Sequence, residues 1–217
     1  MKKVKTLEEF KNILKDDMSI MVGGFMAVGT NEMLIDAIVE SNVQGLTIIC
    51  NDAGFETKGV GKLIKNNQVK KLIASHIGLN PEAGRKMSEG SMECVLVPQG
   101  TLAEQIRAGG AGLGGVLTKT GLNTIVAQGK EIITVQGVDY LLEEPIKADL
   151  AIINGHTVDE WGNIVYNKTA TNFNPVMATA CETVVVGAEN LVKLGEIDPD
   201  VINTPHIFVD YIVKEEK

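Results

Sequence analysis

The sequence predicts an α/β protein with an open, mostly parallel sheet, flanking helices and a smaller antiparallel β appendage. Strand-like and helix-like segments alternate through the first half at a spacing of roughly 25 residues, which is typical of parallel sheets with crossover helices. The strand-like segments, such as Leu46–Cys50, are apolar throughout, as expected for strands covered on both faces. The second half instead carries two short strand-like segments around a tight turn, which indicates an antiparallel unit.

The first half contains four predicted strands separated by helices. The first helix begins at the capping box Thr6-Leu-Glu-Glu9 and is expected to reach about residue 14. Asn31 and Asn80-Pro81 have residue types that open helices. A second capping box, Thr101-Leu-Ala-Glu104, predicts a helix that ends at Arg107. The predicted strands cover residues 18–22, 46–50, 69–74 and 93–97, with a short helix at 60–64.

The second half begins with a glycine-rich run, residues 109–115, which we expect to be a flexible bridge. Gln136-Gly137 predicts the turn of a β-hairpin between residues 132–135 and 138–142. Further strands are expected at 148–153, 183–186 and 207–213, a turn at 159–163, and a short helix beginning at Asn174. No linker separates the halves, so we expect residues 1–217 to form a single domain.

The composition restricts the classes of function. The chain has 217 residues, of which 44% are hydrophobic, and a formal net charge of −8, which disfavours nucleic acid and anionic membranes as partners. Its three cysteines are scattered and odd in number, so we expect reduced thiols and a cytoplasmic location. The basic start of the chain is not followed by an apolar run typical of a signal peptide, and no segment reaches the ~18–20 apolar residues of a membrane span.

The segment from Ile20 to Thr30, Ile-Met-Val-Gly-Gly-Phe-Met-Ala-Val-Gly-Thr, predicts a strand, a tight glycine turn and the start of a helix. Backbone N–H groups in such a turn can bind an anion or a carbonyl oxygen, since glycine allows close approach. The glycines could equally serve packing alone, and the segment by itself leaves both readings open. Residues 51–54 and 98–101 follow other predicted strands at the same edge of the sheet, which favours a binding site.

Two glycine motifs resemble nucleotide-binding loops but lack the required context. Gly24 and Gly29 have the spacing of a P-loop, yet Thr30-Asn31 stand where a lysine and a serine or threonine are needed. Residues 110–115 match Gly-x-Gly-x-x-Gly but follow a predicted helix rather than a strand. We therefore expect a loop that closes over a ligand there rather than a dinucleotide site.

Other catalytic patterns are missing from the sequence. His76, His156 and His206 share no ligand spacing and no Cys-x-x-Cys is present, so no metal site is expected. No Gly-x-Ser-x-Gly elbow occurs, and Ser75 and His76 would point to opposite faces of a strand. A binding surface without a nucleophile predicts that another chain supplies the reactive group.

Several segments, taken in order along the whole chain, resemble the class I CoA-transferases. The branch that they resemble most is the α subunit of the two-subunit acetate/butyrate–acetoacetate enzymes. The matching segments are Asp17-Met-Ser-Ile-Met-Val-Gly-Gly-Phe-Met-Ala-Val-Gly29, Asn51-Asp-Ala-Gly54, Ala74-Ser-His-Ile-Gly-Leu-Asn-Pro-Glu82, Val97-Pro-Gln-Gly-Thr-Leu-Ala-Glu-Gln-Ile-Arg-Ala-Gly-Gly-Ala-Gly112 and Asn172-Phe-Asn-Pro-Val-Met-Ala178, with Asp198-Pro through Thr204-Pro205.

The resemblance implies an enzyme that moves CoA from an acyl-CoA to a short carboxylate such as acetate, butyrate or acetoacetate. In this family a glutamate of a Ser-Glu-Asn-Gly motif on the β subunit becomes a glutamyl-CoA thioester in a ping-pong scheme. Ser88-Glu89-Gly90-Ser91 lacks the asparagine and lies in a different segment, so no catalytic glutamate is assigned to this chain. The implied partner is a β subunit in an α2β2 assembly, with coenzyme A as substrate and no tightly bound cofactor.

The resemblance also implies a set of substrate-binding residues. Asn51 would lie in the cleft, and Gln99 would contact substrate from a turn. Backbone N–H groups and neutral amides can stabilise an oxyanion without a competing charge. This sequence departs from the family pattern at Asp16-Asp17. It also departs at Asn31, because the family usually has a proline at that position. The residues expected to line the CoA and acyl site are Gly24, Phe25, Met26, Ala27, Val28, Gly29 and Thr30, together with Asn51 and Gln99.

Three hypotheses remain open from the sequence. The first is a CoA-transferase subunit that needs a β partner. The second is a stand-alone protein that binds acyl-CoA or organic acids. The third is a sugar-phosphate isomerase with a comparable open sheet, which rests on fold analogy alone and would need a carboxylate–lysine set at the strand ends.

Overall fold

Two β-sheets and six α-helices organise residues 3–214, the part of the chain that the computed structural model describes. Met1 and Lys2, which are part of the basic start of the chain, lie outside the described residues. The helices are α1 (Leu7–Lys11), α2 (Glu32–Ser41), α3 (Gly61–Lys65), α4 (Pro81–Glu89), α5 (Gln99–Ala111) and α6 (Asn174–Met177). The strands are β1 (Val4–Lys5), β2 (Ser19–Val22), β3 (Leu46–Cys50), β4 (Val69–Ala74), β5 (Glu93–Leu96), β6 (Val116–Thr118), β7 (Ile132–Val135), β8 (Val138–Glu143), β9 (Ala148–Asp159), β10 (Ile164–Val165), β11 (Cys181–Val192) and β12 (Tyr211–Lys214).

The main sheet has the strand order β1-β12-β11-β9-β2-β3-β4-β5. Every neighbouring pair in this order is parallel, and only the short β10 is antiparallel, to β9. The second sheet is antiparallel, in the order β6-β8-β7, and contains the hairpin expected around Gln136-Gly137. The predicted fold class, an open parallel sheet with an antiparallel appendage, is confirmed.

Both faces of the main sheet are covered by apolar side chains. Successive residues of β2 show this directly, because their side chains alternate between the faces. Ile20 belongs to one core cluster with Leu34 of α2, whereas Met21 belongs to the other with Leu102 and Ile106 of α5. All five are fully buried. This two-sided burial is the reason that the strands of the first half are apolar throughout.

The expected helix starts at Asn31 and Asn80 are confirmed. Asn31 Oδ1 accepts from Leu34 N at 3.0 Å, and Asn80 Oδ1 accepts from Ala83 N at 3.2 Å. The capping box of α1 is also present, with Thr6 Oγ1 accepting from the Glu9 backbone. These starts are set by local hydrogen bonds, which is why the sequence predicts them.

Helix α1 is shorter than expected and ends at Lys11 instead of near residue 14. The chain tightens there, because Ile13 N donates to Phe10 O at 3.1 Å and Leu14 N donates to Lys11 O at 3.2 Å. These three-residue bonds close the helix end. Leu14 still reaches the core and is 8% exposed, so its apolar spacing imitates a longer helix.

The second predicted capping box is wrong. Helix α5 begins at Gln99, two residues before Thr101, and its N-cap is Pro98, which makes no side-chain cap. Leu102 N donates to Pro98 O at 2.9 Å, so the backbone is already helical at Gln99. Thr101 is buried in the first turn, and Glu104 Oε2 accepts from Arg107 Nε rather than capping the helix.

The glycine-rich run 109–115 is not a flexible bridge along its whole length. Gly109 and Gly110 belong to α5, which continues to Ala111 and ends at Gly112 with a left-handed φ of 68°. A Cβ added to Gly109 would lie 2.1 Å from Ile146 O, and one added to Gly110 would lie 2.2 Å from Thr179 Oγ1. The first two glycines therefore allow the helix to pack closely, and only residues 112–115 connect it to β6.

Strands β9 and β11 are each longer than predicted. They pair with each other from Cys181 beside Ala148 to Val192 beside Asp159. Polar residues in their second halves resemble loop sequence, yet the pairing holds them in the sheet. The strand predicted at residues 207–213 is shorter and starts later than expected. Strand β12 covers only Tyr211–Lys214, and residues 206–208 form a 3₁₀ turn.

The three cysteines are free thiols, with Cys50 buried and Cys94 and Cys181 half-buried. Burial raises the pKa of each thiol, to about 12 for Cys181. A raised pKa keeps a thiol protonated and weakly nucleophilic. No helix within residues 3–214 combines the length and apolar character needed to cross a bilayer.

Candidate active site

Three of the predicted site segments meet at the carboxyl edge of the main sheet through a chain of hydrogen bonds. Gln99 Nε2, in the first turn of α5, donates to Asn51 Oδ1 at 2.5 Å. Asn51 Nδ2 donates to Asp52 Oδ2 at 2.7 Å, and the same oxygen accepts from Met26 N at 2.7 Å. The predicted residues Gln99, Asn51 and Met26 are therefore joined, through Asp52, into one connected surface.

The glycine turn after β2 forms a tight hairpin over residues 25–28. Phe25 N donates to Val28 O at 3.0 Å, and Val28 N donates to Phe25 O at 2.9 Å. Its two central residues, Met26 and Ala27, have φ values of 49° and 63°, a conformation that asparagine and glycine adopt more easily. Backbone strain of this kind is often found at functional sites.

The side chains of this hairpin are apolar and exposed. Phe25 and Met26 are each 41% exposed and Val28 is 49% exposed. Exposed apolar groups beside a few polar ones are typical of a binding surface. The hairpin thus offers an apolar wall at the edge of the sheet, next to Asn51 and Gln99.

The glycine turn combines close packing with backbone N–H groups that have no acceptor within residues 3–214. A Cβ on Gly23 would lie 1.9 Å from Asn174 Oδ1, and a Cβ on Gly24, where φ is 130°, would lie 2.0 Å from Thr30 Oγ1. Thr30 Oγ1 donates to Gly23 O at 2.9 Å and fixes the turn. The backbone N–H groups of Gly24, Ala27 and Gly29 donate to no acceptor within residues 3–214. Such groups can bind a carboxylate or a developing oxyanion.

Asn172 and Asn174 hold the glycine turn in place through hydrogen bonds to its carbonyl groups. Asn172 Nδ2 donates to Val28 O at 2.9 Å, and Asn174 Nδ2 donates to Gly29 O at 2.9 Å. Asn174 is fully buried, and its Oδ1 accepts from Asn154 N at 3.0 Å. The sequence shows the Asn-Phe-Asn-Pro motif, but these contacts span more than 140 residues and cannot be read from local pattern.

A second hairpin, unforeseen from the sequence, lies beside the first. Phe55 N donates to Lys58 O at 3.2 Å and Lys58 N donates to Phe55 O at 3.0 Å, between Gly54 and Gly59 with φ values of 62° and 58°. A Cβ on Gly59 would lie 3.8 Å from the Ala27 Cβ, so the hairpins are neighbours. The signal that could have revealed it is the spacing Gly-Phe-x-x-x-Gly, which occurs at 24–29 and again at 54–59.

The end of β4 supports Asn51 rather than forming a nucleophile–base pair. Ser75 Oγ donates to Asn51 O at 2.7 Å, and Ala53 N donates to His76 O at 3.0 Å. His76 is exposed, and no hydrogen bond joins its ring to Ser75 within residues 3–214. Within that range, no three His, Cys, Asp or Glu side chains are grouped so as to hold a metal ion.

Two glutamates could be considered as reactive groups, and the carboxylates of both are engaged by neighbouring side chains. Glu89, in the Ser-Glu-Gly-Ser segment, is the last residue of α4 and accepts from Arg85 Nη1. Glu189 lies near the carboxyl end of β11, where its Oε2 is 2.7 Å from His156 Nδ1 and its Oε1 accepts from Asn154 Nδ2 at 2.8 Å. The sequence did not predict the second cluster, because the strand expected at 148–153 stops short of His156.

Known proteins with names that refer to CoA transfer resemble this chain along almost its whole length. The chain is 53% identical, over 98% of each chain, to the acetoacetyl-CoA:acetate/butyrate CoA transferase alpha subunit of Clostridium acetobutylicum. It is 50% identical to the acetate CoA-transferase subunit alpha of Escherichia coli K12, over 99% of this chain and 98% of that one.

Among solved structures, an acyl-CoA transferase of Escherichia coli O157:H7, in a thioester complex with CoA, has a similar fold. Its TM-score is 0.87 at 21% identity. The match covers 99% of this chain and 47% of that one, so the present chain spans about half of the length of that relative. The profile of the coenzyme A transferase family matches residues 4–215. The chain therefore belongs to the coenzyme A transferase family.

Proposed function

We propose that this chain is the α subunit of a CoA-transferase that exchanges CoA between acetoacetyl-CoA and a short carboxylate, acetate or butyrate. The observation that carries the proposal is the 53% identity, over almost the whole length, to an alpha subunit named for that reaction. The proposal includes all of residues 1–217 as one domain, a β-subunit partner in an α2β2 assembly, and coenzyme A as substrate without a tightly bound cofactor. The free thiols suit a reducing compartment such as the cytoplasm.

In this proposal the carboxyl edge of the main sheet binds the acyl group and the thioester end of CoA. The exposed side chains of Phe25, Met26 and Val28 contact the apolar part of the acyl chain. The unpaired N–H groups of Gly24, Ala27 and Gly29 lie in the same turn and bind the carboxylate or the oxyanion, with Thr30 holding the turn closed. Gln99, which is exposed, presents its neutral amide to the same space, and the buried Asn51 contributes by holding that amide in place. An oxyanion donor of this kind typically lowers a barrier by about 3 kcal/mol.

The β subunit supplies the nucleophile that this chain lacks. Its glutamate attacks the thioester carbonyl, and the CoA thiolate leaves to give an acyl–glutamyl anhydride. The thiolate then attacks the glutamyl carbonyl, which forms the glutamyl-CoA thioester and releases the first carboxylate. The second carboxylate reverses these two steps and leaves as an acyl-CoA. The amides of this chain carry no charge that would repel either carboxylate.

The proposal is tested by reconstitution. The chain is purified alone and together with a β subunit, and acetoacetyl-CoA is incubated with acetate or butyrate while the acyl-CoA products are separated by chromatography. We expect acetyl-CoA or butyryl-CoA to form only with the mixture. A radiolabelled acetate control reports whether the exchange is reversible.

Two results would contradict the proposal. Full transfer by this chain alone would show that it does not depend on a β nucleophile. Tight binding of acetoacetyl-CoA without transfer in the mixture would favour the stand-alone binding protein. A panel of acceptor carboxylates then identifies the preferred chain length, since one methylene changes binding by only ~1–3 kcal/mol.

A further inference from the structure

Asp52 is a buried carboxylate that binds two separate loops. It is 6% exposed and lies two residues beyond Cys50, the last residue of β3. Its Oδ2 accepts from Met26 N at 2.7 Å and its Oδ1 accepts from Gly54 N at 3.0 Å. Met26 lies at the tip of the first hairpin, and Gly54 opens the second. One side chain therefore connects the two Gly-Phe-x-x-x-Gly hairpins.

The charge of Asp52 is satisfied by hydrogen bonds rather than by a cation. Asn51 Nδ2 provides a third donor, at 2.7 Å from Oδ2, and none of the ion pairs within residues 3–214 includes Asp52. Burial of a carboxylate is costly unless such donors compensate for the lost water. A carboxylate offers two acceptor oxygens, whereas an asparagine offers one and directs an NH₂ group at the remaining donor. The two backbone donors thus require an acid at this position.

The third bond connects Asp52 to the amides of the candidate site. Because Asn51 donates to Asp52, its Oδ1 is left facing Gln99, which donates to it at 2.5 Å. The orientation of both amides therefore depends on the carboxylate. Asp52 is too buried to contact a substrate and acts only through the groups that it holds.

We propose that Asp52 is a positioning residue of the transfer site, which fixes the spacing of the two hairpins and turns Asn51 toward Gln99. This inference rests on the proposed function, because it takes the hairpins and the two amides as the surface that binds substrate. The inference also adds the second hairpin, residues 54–59, to the surface that binds substrate, because Asp52 fixes the position of that hairpin as well.

Asp149 is a control for the loss of an aspartate that accepts backbone and side-chain hydrogen bonds, although it is exposed and Asp52 is buried. Its Oδ2 accepts from Ser19 N and from Ser19 Oγ, each at 2.7 Å, and so joins β9 to the start of β2 at the opposite, amino edge of the same sheet. Both aspartates thus link neighbouring segments through backbone and side-chain donors. Only Asp52 does so beside the candidate site.

The test compares Asp52→Asn and Asp149→Asn in the complex with the β subunit. Steady-state kinetics give kcat and KM for acetoacetyl-CoA, and hydrogen exchange measured by mass spectrometry covers peptides spanning residues 23–30 and 53–60. For Asp52→Asn we expect kcat/KM to fall about 10- to 100-fold, mainly through kcat, since a small misplacement of binding groups costs this much. Exchange should become faster in both hairpins together. For Asp149→Asn, kcat/KM should stay within about twofold of wild type, with faster exchange confined to the amino edge.

Unchanged exchange in either hairpin of Asp52→Asn would overturn the inference, as would equal kinetic losses in the two variants. If Asp52→Asn does not fold, Asp52→Glu keeps the charge but displaces the donors, and the same two measurements apply. Failure of the proposed function has a different signature, because the wild-type complex itself would then transfer no CoA. The exchange data would still decide whether Asp52 couples the hairpins.

Discussion

Gln99 donates through Nε2 to Asn51 Oδ1 at 2.5 Å and so joins the first turn of α5 to the end of β3. The two residues are 48 positions apart in the sequence and belong to different elements of the fold. Ser75 Oγ also lies 3.2 Å from Asn51 Oδ1, so this oxygen receives donors from two directions. The amide of Asn51 is consequently held in one orientation, as a pre-organised site requires.

Replacement of Gln99 by alanine should lower turnover while the complex stays assembled. The side chain is exposed, so its loss costs little stability, but Asn51 loses its bond and the site loses a neutral donor. We expect kcat to fall by about 10²–10³, the usual effect of losing one oxyanion donor. Gln128→Ala, at an exposed position in a turn of the second half, is the control and should leave the kinetics unchanged. Wild-type kinetics for Gln99→Ala would remove Gln99 from the site.

Replacement of Asn174 by alanine should destabilise the protein. The buried amide donates to Gly29 O and Ala170 O, and its oxygen accepts from Asn154 N, so the variant leaves buried backbone groups unpaired. Each such group costs about 1–3 kcal/mol, and we expect a loss of at least ~2 kcal/mol in the free energy of unfolding. Urea denaturation measures the loss.

The control for this prediction is Asn167→Ala. Asn167 is exposed and its side chain makes no cap, so the free energy of unfolding should change by less than about 0.5 kcal/mol. Equal losses for the two variants would show that the Asn174 network does not stabilise the glycine turn.

Two helical glycines should respond to alanine with opposite signs. Gly109 in α5 has no room, because an added Cβ would lie 2.1 Å from Ile146 O, and Gly109→Ala should destabilise by roughly 1–3 kcal/mol. Gly84 in α4 has nothing within 4 Å of an added Cβ, and Gly84→Ala should stabilise by about 0.5–1 kcal/mol. The free energies of unfolding from urea titrations of the two variants check both signs. A stabilising Gly109→Ala would mean that the close contact with Ile146 is absent in solution.

Asp149 should make the stability of the protein depend on acidic pH. Hydrogen bonds from Ser19 lower the pKa of this carboxyl below its usual value of about 3.9. Its contribution is therefore fully present above pH ~4 and is lost as the pH falls through the folded-state pKa. The difference in urea midpoint between wild type and Asp149→Asn should be constant from pH 7 to about pH 5 and shrink toward pH 2. A difference that grows as the pH falls would contradict this assignment.

The sequence predicts the features of this protein that local interactions determine. Strands β3 and β4 have the expected bounds, because apolar runs of this length are buried on both faces wherever the chain places them. The helix starts at Asn31 and Asn80 depend on bonds that close within three residues. Long-range contacts account for what the sequence did not predict. The glycines that carry α5 past Arg107 pack against Ile146 and Thr179, and the length of β9 is set by its pairing with β11.

The candidate site also has some features that the sequence predicts and others that depend on long-range contacts. Residues 23–30, 51–54 and 98–101 can be selected from the sequence because these segments follow strands that end at one edge. The choice of Gly24 to Thr30, Asn51 and Gln99 as site residues comes from the resemblance to the CoA-transferases. Asp52, Asn172 and Asn174 could not be given roles, since their partners lie in other loops. Whether the selected residues bind substrate remains a prediction for the kinetic experiments above.

The two close-packed glycines of α5 fix the orientation of the helix that carries Gln99. Gly109 and Gly110 fix its far end against Ile146 and Thr179, while Gln99 occupies the near end. Ten residues of helix separate the two points by about 15 Å, so a tilt of about 4° at the glycine end would move Gln99 by about 1 Å. A displacement of that size can change a rate by about 10²-fold. Substitutions that loosen this distant contact should therefore alter catalysis without touching the site.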